Sequence, residues 1–225
     1  MLAALVVLLA LAGAGRAAGG EQVVVDFEGM EVSAPPAGFT TALTGKGRPV
    51  EWMVVEDGTA PSGTKVLAEV SGDETSYRFP LALYDGLEAR DVEVSVRFRP
   101  ISGRVDQAAG LVVRAQDPNN YYIARANALE DNVRLYRVVD GRREQFAGVD
   151  TEVPAGEWQT LGLRVEGDRL EVALDGRTLF TATDGTFIGP GKVGLWTKAD
   201  SLTHFDDLTI RPLAGGPAAA SGSSG

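Results

Sequence analysis

Residues 109–149 read AGLVVRAQDPNNYYIARANALEDNVRLYRVVDGRREQFAGV. Turn-forming runs divide this stretch: Asp117-Pro118-Asn119-Asn120, then Glu130-Asp131-Asn132, then Asp140-Gly141. Asn, Asp and Gly tolerate the left-handed backbone of tight turns, and Pro pre-sets φ, so each run ends one strand and starts another. The stretch therefore predicts four short antiparallel strands. It also holds the densest mixture of Arg, Tyr and Asn in the chain, spaced so that several can share one sheet face.

The same pattern extends outward. In Asp91–Arg99, Val92, Val94, Val96 and Phe98 alternate with Glu93, Ser95, Arg97 and Arg99, the period of a half-buried strand. Gln159–Glu166 and Arg169–Asp175 repeat it, with Leu161, Leu163 and Val165, then Leu170, Val172 and Leu174, facing inward. Gly167-Asp168 and Asp175-Gly176 read as hairpin turns. Further strands are expected at Gln22–Phe27, Val50–Val55, Lys65–Val70, Tyr77–Leu83, Arg177–Thr183, Lys192–Lys198 and Thr203–Ile210. Pro80 suggests that Tyr77–Leu83 is an edge or a bend. Glu31–Arg48, with Pro35-Pro36 and several Gly, reads as a long loop. No segment sustains a helical period, so the expected fold is all-β: a two-sheet antiparallel jelly-roll sandwich.

Composition narrows the function. With 21 Lys+Arg against 31 Asp+Glu, the net charge of −10 has the wrong sign for a nucleic-acid footprint or an anionic membrane surface. The absence of Cys excludes disulfides, thiolate zinc sites and a cysteine nucleophile. Leu2–Leu11 is an unbroken apolar run, followed by small residues through Gly20, though no Lys or Arg precedes it. It is short for a bilayer span and reads as a signal peptide over residues 1–17, which makes the chain secreted or periplasmic, with no membrane insertion after cleavage. A sandwich domain is then expected over 18–212 and a flexible Ala/Gly/Ser tail over 213–225.

Glu166-Gly-Asp-Arg-Leu-Glu171 matches the Glu-x-Asp-x-x-Glu pattern of glycoside hydrolase family 16, but Gly167-Asp168 sits in a hairpin turn, which puts the two glutamates on opposing strands at a sheet end. His204, the single histidine, has no nucleophile motif near it in sequence. Glu28, Asp206 and Asp207 form a Ca²⁺ candidate if the first and last strands pair, because hard oxygen ligands suit that ion. The strongest set is aromatic and basic: Arg114, Tyr122, Arg134, Tyr136, Trp196 and Lys198. Sugar rings offer apolar faces and hydroxyl rims, so such a set on one sheet face would hold a glycan. Tyr121, Arg125 and Asn127 replace part of it if their strand has the opposite phase.

Gly110–Tyr122, Asn132–Tyr136, Gly156-Glu-Trp158, Gly191–Ser201 and Phe205-Asp-Asp-Leu208 resemble the concanavalin A-like lectin/glucanase superfamily in its exported bacterial members. Within that superfamily the same motifs resemble laminin-G-like domains and the 3-keto-disaccharide hydrolase domain family. The resemblance covers about 26–212 and implies a jelly-roll with a concave face used for glycans. Three functions stay open: carbohydrate binding, hydrolysis of glycosides or keto-sugars, and a structural role in the cell envelope. Hydrolysis requires two carboxylates, or a carboxylate and a metal, converging in the groove, for which Asp200, Glu93 and Asp117 are the first acids to locate.

Overall fold

A computed structural model describes residues 20–214. The predicted signal peptide and the tail from 215 onward lie outside the described residues. Fifteen strands follow one another: β1 (Val23–Val25), β2 (Phe39–Gly45), β3 (Trp52–Glu56), β4 (Lys65–Glu69), β5 (Arg78–Ala89), β6 (Val92–Ser102), β7 (Ala108–Asp117), β8 (Asn120–Asn127), β9 (Asn132–Val139), β10 (Arg142–Asp150), β11 (Gln159–Glu166), β12 (Arg169–Leu174), β13 (Arg177–Thr183), β14 (Gly191–Trp196) and β15 (Leu202–Pro212). They form two antiparallel sheets. One is ordered β13-β12-β11-β6-β15-β4-β3, with β1 beside β15; the other is β10-β9-β8-β7-β14-β5-β2. This is an all-β, two-sheet sandwich of the concanavalin A/jelly-roll type.

The opening stretch forms four consecutive antiparallel strands, β7 to β10, at one side of the seven-stranded sheet. Two expectations need correction. The segment read as a loop contains β2, which closes the far edge of that sheet against β5. Its sequence, FTTALTG, alternates too weakly to be seen between Pro- and Gly-rich flanks. Tyr77–Leu83 is no edge either: β5 lies between β14 and β2. Pro80 is tolerated because its carbonyl accepts from Thr197, just past the end of β14. An antiparallel residue points its N and O at the same neighbour, so the missing N–H falls outside that ladder.

The main core lies between the sheets. Val92, Val94, Val96 and Phe98 of β6, with Leu161, Leu163 and Val165 of β11, meet Ala109, Leu111, Val113, Ala124 and Leu195 of the other sheet. A second apolar cluster covers the opposite face of the seven-stranded sheet: Phe79, Leu81, Leu83, Val112, Tyr121, Ile123, Tyr136, Val138 and Trp196. Twist and curl bring remote corners of that sheet together over it. Tyr77 donates to the Gly141 carbonyl at 3.0 Å and accepts from the Arg143 amide, while Thr44 bonds the Tyr121 hydroxyl at 2.9 Å. Gly110 makes room under the indole, since a Cβ there would sit 2.9 Å from Ile123 and 3.1 Å from Trp196.

Candidate functional site

On the seven-stranded sheet, the face away from the main core divides in two. Beneath the corners that meet, it is aromatic and closed. Trp196 is fully buried, stacked on Phe79 with ring centroids 5.3 Å apart, and its indole N–H donates to Tyr121 at 3.2 Å. The Arg143 guanidinium lies over Tyr136, Phe79 and Trp196 at 4.5, 4.7 and 5.7 Å. Burial pulls this guanidinium below its ordinary pKa.

Toward the ends of β8 and β14 the same face turns polar. Asn127 donates to Asp106 at 2.8 Å, and Lys198 pairs with the other Asp106 oxygen. Arg125 bonds Glu130 at 2.9 Å and also Asn132, and its guanidinium lies 5.6 Å from the Tyr136 ring. Arg134, registered opposite Arg125, pairs with Asp150. Burial raises the Glu130 carboxyl, but Arg125 and Asn132 outweigh it and hold the group below its usual range. The corner thus presents carboxylates, amides and cations whose charges are mutually neutralised. Such planar, paired groups suit a neutral, hydroxyl-rich ligand, which they bind by hydrogen bonds without leaving a buried charge unpaired. Solvent reaches the corner through Glu130, Arg134 and Lys198, whose side chains are 47%, 19% and 14% exposed.

Of the six residues expected on one face, Arg134, Tyr136, Trp196 and Lys198 lie on this sheet face, with Trp196 in the closed half. Arg114 and Tyr122 do not. At Arg114 the backbone turns left-handed (φ 50) and the β7–β8 register jumps between Val113 and Asp117, so the simple alternation fails. Its buried side chain instead ties three carbonyls, of Arg90, Phe187 and Gly167, to Asp91. Tyr122 points into the main core, bonding Asp184 at 2.6 Å; burial and that carboxylate push its hydroxyl up to about 12. β8 adopts the opposite phase, placing Tyr121, Arg125 and Asn127 on the face. Sequence reasoning missed Asp106 and Arg143. Asp106 precedes β7 outside any strand pattern, and Arg143 is one of two adjacent arginines after a hairpin.

The other candidates are structural. β1 does pair with β15, Val25 opposite Leu208. However, Glu28 accepts from the Thr64 and Lys65 amides, and Asp206 from the Ser62 and Asp207 amides, so both carboxylates fasten a loop. Among the described residues no group of three or more His, Cys, Asp or Glu side chains is placed to hold a metal ion, Glu28, Asp206 and Asp207 included. Asp200 accepts from the amides of Arg104, Val105 and Asp106, and Asp117 from Asn119 and Asn120. Glu93 bonds Arg164 and Arg211 on the other sheet. Glu166 and Glu171 lie on opposing strands, β11 and β12, across a turn. His204 bonds Asp57 at 2.7 Å.

A jelly-roll with such a face defines a β-sandwich domain of the carbohydrate-binding or glycoside-hydrolase-like class. The description 3-keto-alpha-glucoside-1,2-lyase-like domain matches residues 33–211, and the chain belongs to that family. Levanase of Bacillus subtilis (strain 168) is 26% identical over 157 residues, which cover 68% of this chain and 20% of that enzyme. The chain thus matches only about a fifth of this curated relative's length. Among solved structures, the carbohydrate binding module CBM66 from Bacillus subtilis superposes with a TM-score of 0.61 at 23% identity, covering 77% of this chain and 94% of the module. Domain 4 of AbnA, an extracellular arabinanase from Geobacillus stearothermophilus solved with arabinotriose, gives 0.54 at 17% identity, covering 88% of this chain and 95% of the domain.

Proposed function

We propose that this chain is an exported carbohydrate-binding domain that holds a neutral oligosaccharide at the polar corner of its seven-stranded sheet. The carrying observation is the charge-neutral network of Asp106, Lys198, Asn127, Arg125, Glu130 and Asn132, bordered by Arg134 and floored by Tyr136. The sizes of the relatives support binding over bond making: the likeness spans nearly a whole binding module but a fifth of an enzyme. Export rests on the apolar run Leu2–Leu11. The contacts are hydrogen bonds to hydroxyls, since the indole of Trp196 is sealed in a core. Calorimetric titration with levan-derived fructo-oligosaccharides and arabinotriose tests the reading. Arg134→Ala should weaken any detected affinity about tenfold, and an unchanged affinity would place the site elsewhere.

The family description favours a second reading, a lyase acting on 3-keto-glucosides. Elimination needs a base to take the C2 proton beside the C3 carbonyl while the C1–O bond breaks and the second sugar leaves as an alcohol, taking up a proton; Asp106 or Glu130 would supply the base at this corner. Incubation with a 3-keto-disaccharide, followed by chromatography, separates the two: binding without turnover supports the module.

A further inference from the structure

A second depression lies on the opposite side of the molecule, on the outer face of the eight-stranded sheet. It has a volume of about 640 Å³ and is lined by Glu93, Ser95, Thr160, Gly162, Arg164 and Glu171, among others. Register explains its shape. Ser95, Gly162, Ala173 and Thr178 sit side by side on β6, β11, β12 and β13 and form a low floor. Glu93, Arg164 and Glu171 form the next row and rise as a wall. Four strands at the usual spacing make the groove roughly 14 Å long, enough for a short oligosaccharide.

Two independent observations bear on what the groove could hold. Gly162 is in mid-strand, where glycine weakens a sheet, yet the fold does not require it. Its φ is not in the left-handed region, and an added Cβ would meet nothing nearer than 3.5 Å. Gly110 differs, being demanded by crowding. The sheet surface above Gly162 is therefore open to close approach from outside the chain. Secondly, Arg97, registered opposite the lining residue Thr160 and just outside the residues that line the groove, makes no side-chain hydrogen bond or ion pair among the described residues, and its Nε is buried without an acceptor.

We propose that this groove is a second oligosaccharide site. Hydroxyls of Ser95, Thr160 and Thr178, the Glu171 carboxylate and the Arg97 guanidinium would contact sugar hydroxyls, while Gly162 and Ala173 let the chain lie close to the sheet. The groove is not a hydrolytic centre. Arg164 bridges Glu93 and Glu166, and Glu171 is held below its usual pKa by Thr178 and Arg169, so no carboxyl is poised as a general acid. The proposal rests on the glycan-binding reading, and opposed sites would let one domain bridge two chains of a polysaccharide.

Calorimetry on the full chain with levan-derived fructo-oligosaccharides and arabinotriose tests it, using Gly162→Tyr to fill the groove, Arg97→Ala to remove the unpaired cation, and Arg134→Ala at the polar corner. Two sites per chain are expected, one lost in Gly162→Tyr and weakened about tenfold in Arg97→Ala. Thermal unfolding checks that each variant folds; should Gly162→Tyr fail, Arg97→Ala carries the test. A single site, abolished by Arg134→Ala and untouched by both groove variants, overturns this inference and leaves the corner standing. A single site lost only in the groove variants supports it and removes the corner. No binding of either sugar overturns both.

Discussion

Replacing Trp196 by alanine removes an indole that is fully buried, stacked on Phe79, and hydrogen-bonded to Tyr121. Truncating a buried Trp or Phe costs about 3–5 kcal/mol through lost transfer energy and the cavity left behind. The lost hydrogen bond adds about 1 kcal/mol, and no more, because Thr44 still satisfies the Tyr121 hydroxyl. The sum, roughly 4–6 kcal/mol, is a large part of the 5–15 kcal/mol by which domains are usually stable. At a urea dependence of about 3 kcal/mol/M the midpoint should fall by more than about 1 M. Tryptophan fluorescence of the remaining Trp52 and Trp158 follows the transition. Affinity for sugar, measured on folded protein at low temperature, should change little. A variant with an unmoved midpoint and lost sugar affinity would refute the reasoning and make Trp196 a stacking platform.

Arg114→Ala should cost about 3–5 kcal/mol in urea unfolding, because it removes the only cation paired with Asp91, which keeps just the Gly167 amide, and takes the donor from three part-buried carbonyls; a cost below 1 kcal/mol would show that water replaces the guanidinium there. Burial pushes the buried carboxyl of Asp206 up to about 6, so its ionisation penalises the folded state: this group's contribution falls as pH rises from about 4 to about 6. Asp206→Asn should remove that fall from the pH profile of the urea midpoint, and a profile identical to wild type would contradict it. For Asp184, burial raises the carboxyl, but bonds from Thr186, Tyr122 and Arg137 hold it at about 2, so its stabilisation is present above pH 4 and lost as pH falls toward 2. Gly162→Thr should stabilise by about 0.5–1 kcal/mol, read as a higher thermal midpoint, because the strand gains a β-branched residue where space is open.

The fold was legible where one sheet face is buried and the other wet. The Val92/Val94/Val96 alternation fixes β6, and Asp140-Gly141 and Asp175-Gly176 mark hairpins. It was illegible at β2, whose outward Ala42 and Thr44 face a curled sheet rather than water while Thr40 stays exposed. The site was legible in residue type and only half legible in direction. Period-two counting from Gly110 holds to Val112 and fails at Arg114, because a bulge gives no warning in RAQD. Counting across β8 needs a phase that its apolar-polar pattern does not supply, since both faces of Tyr121–Ala124 are buried. Trp196 shows the same limit: its placement on the outer face of the seven-stranded sheet follows from the strand, but its closure by Tyr77 and Gly141 depends on contacts between remote corners.

The polar corner is tested most directly by an amide chemical-shift map of the folded chain titrated with arabinotriose or levan-derived fructo-oligosaccharides. Saturable shifts are expected at Asp106, Arg125–Arg134 and Lys198. A map in which sugar binds and those amides stay silent would contradict it.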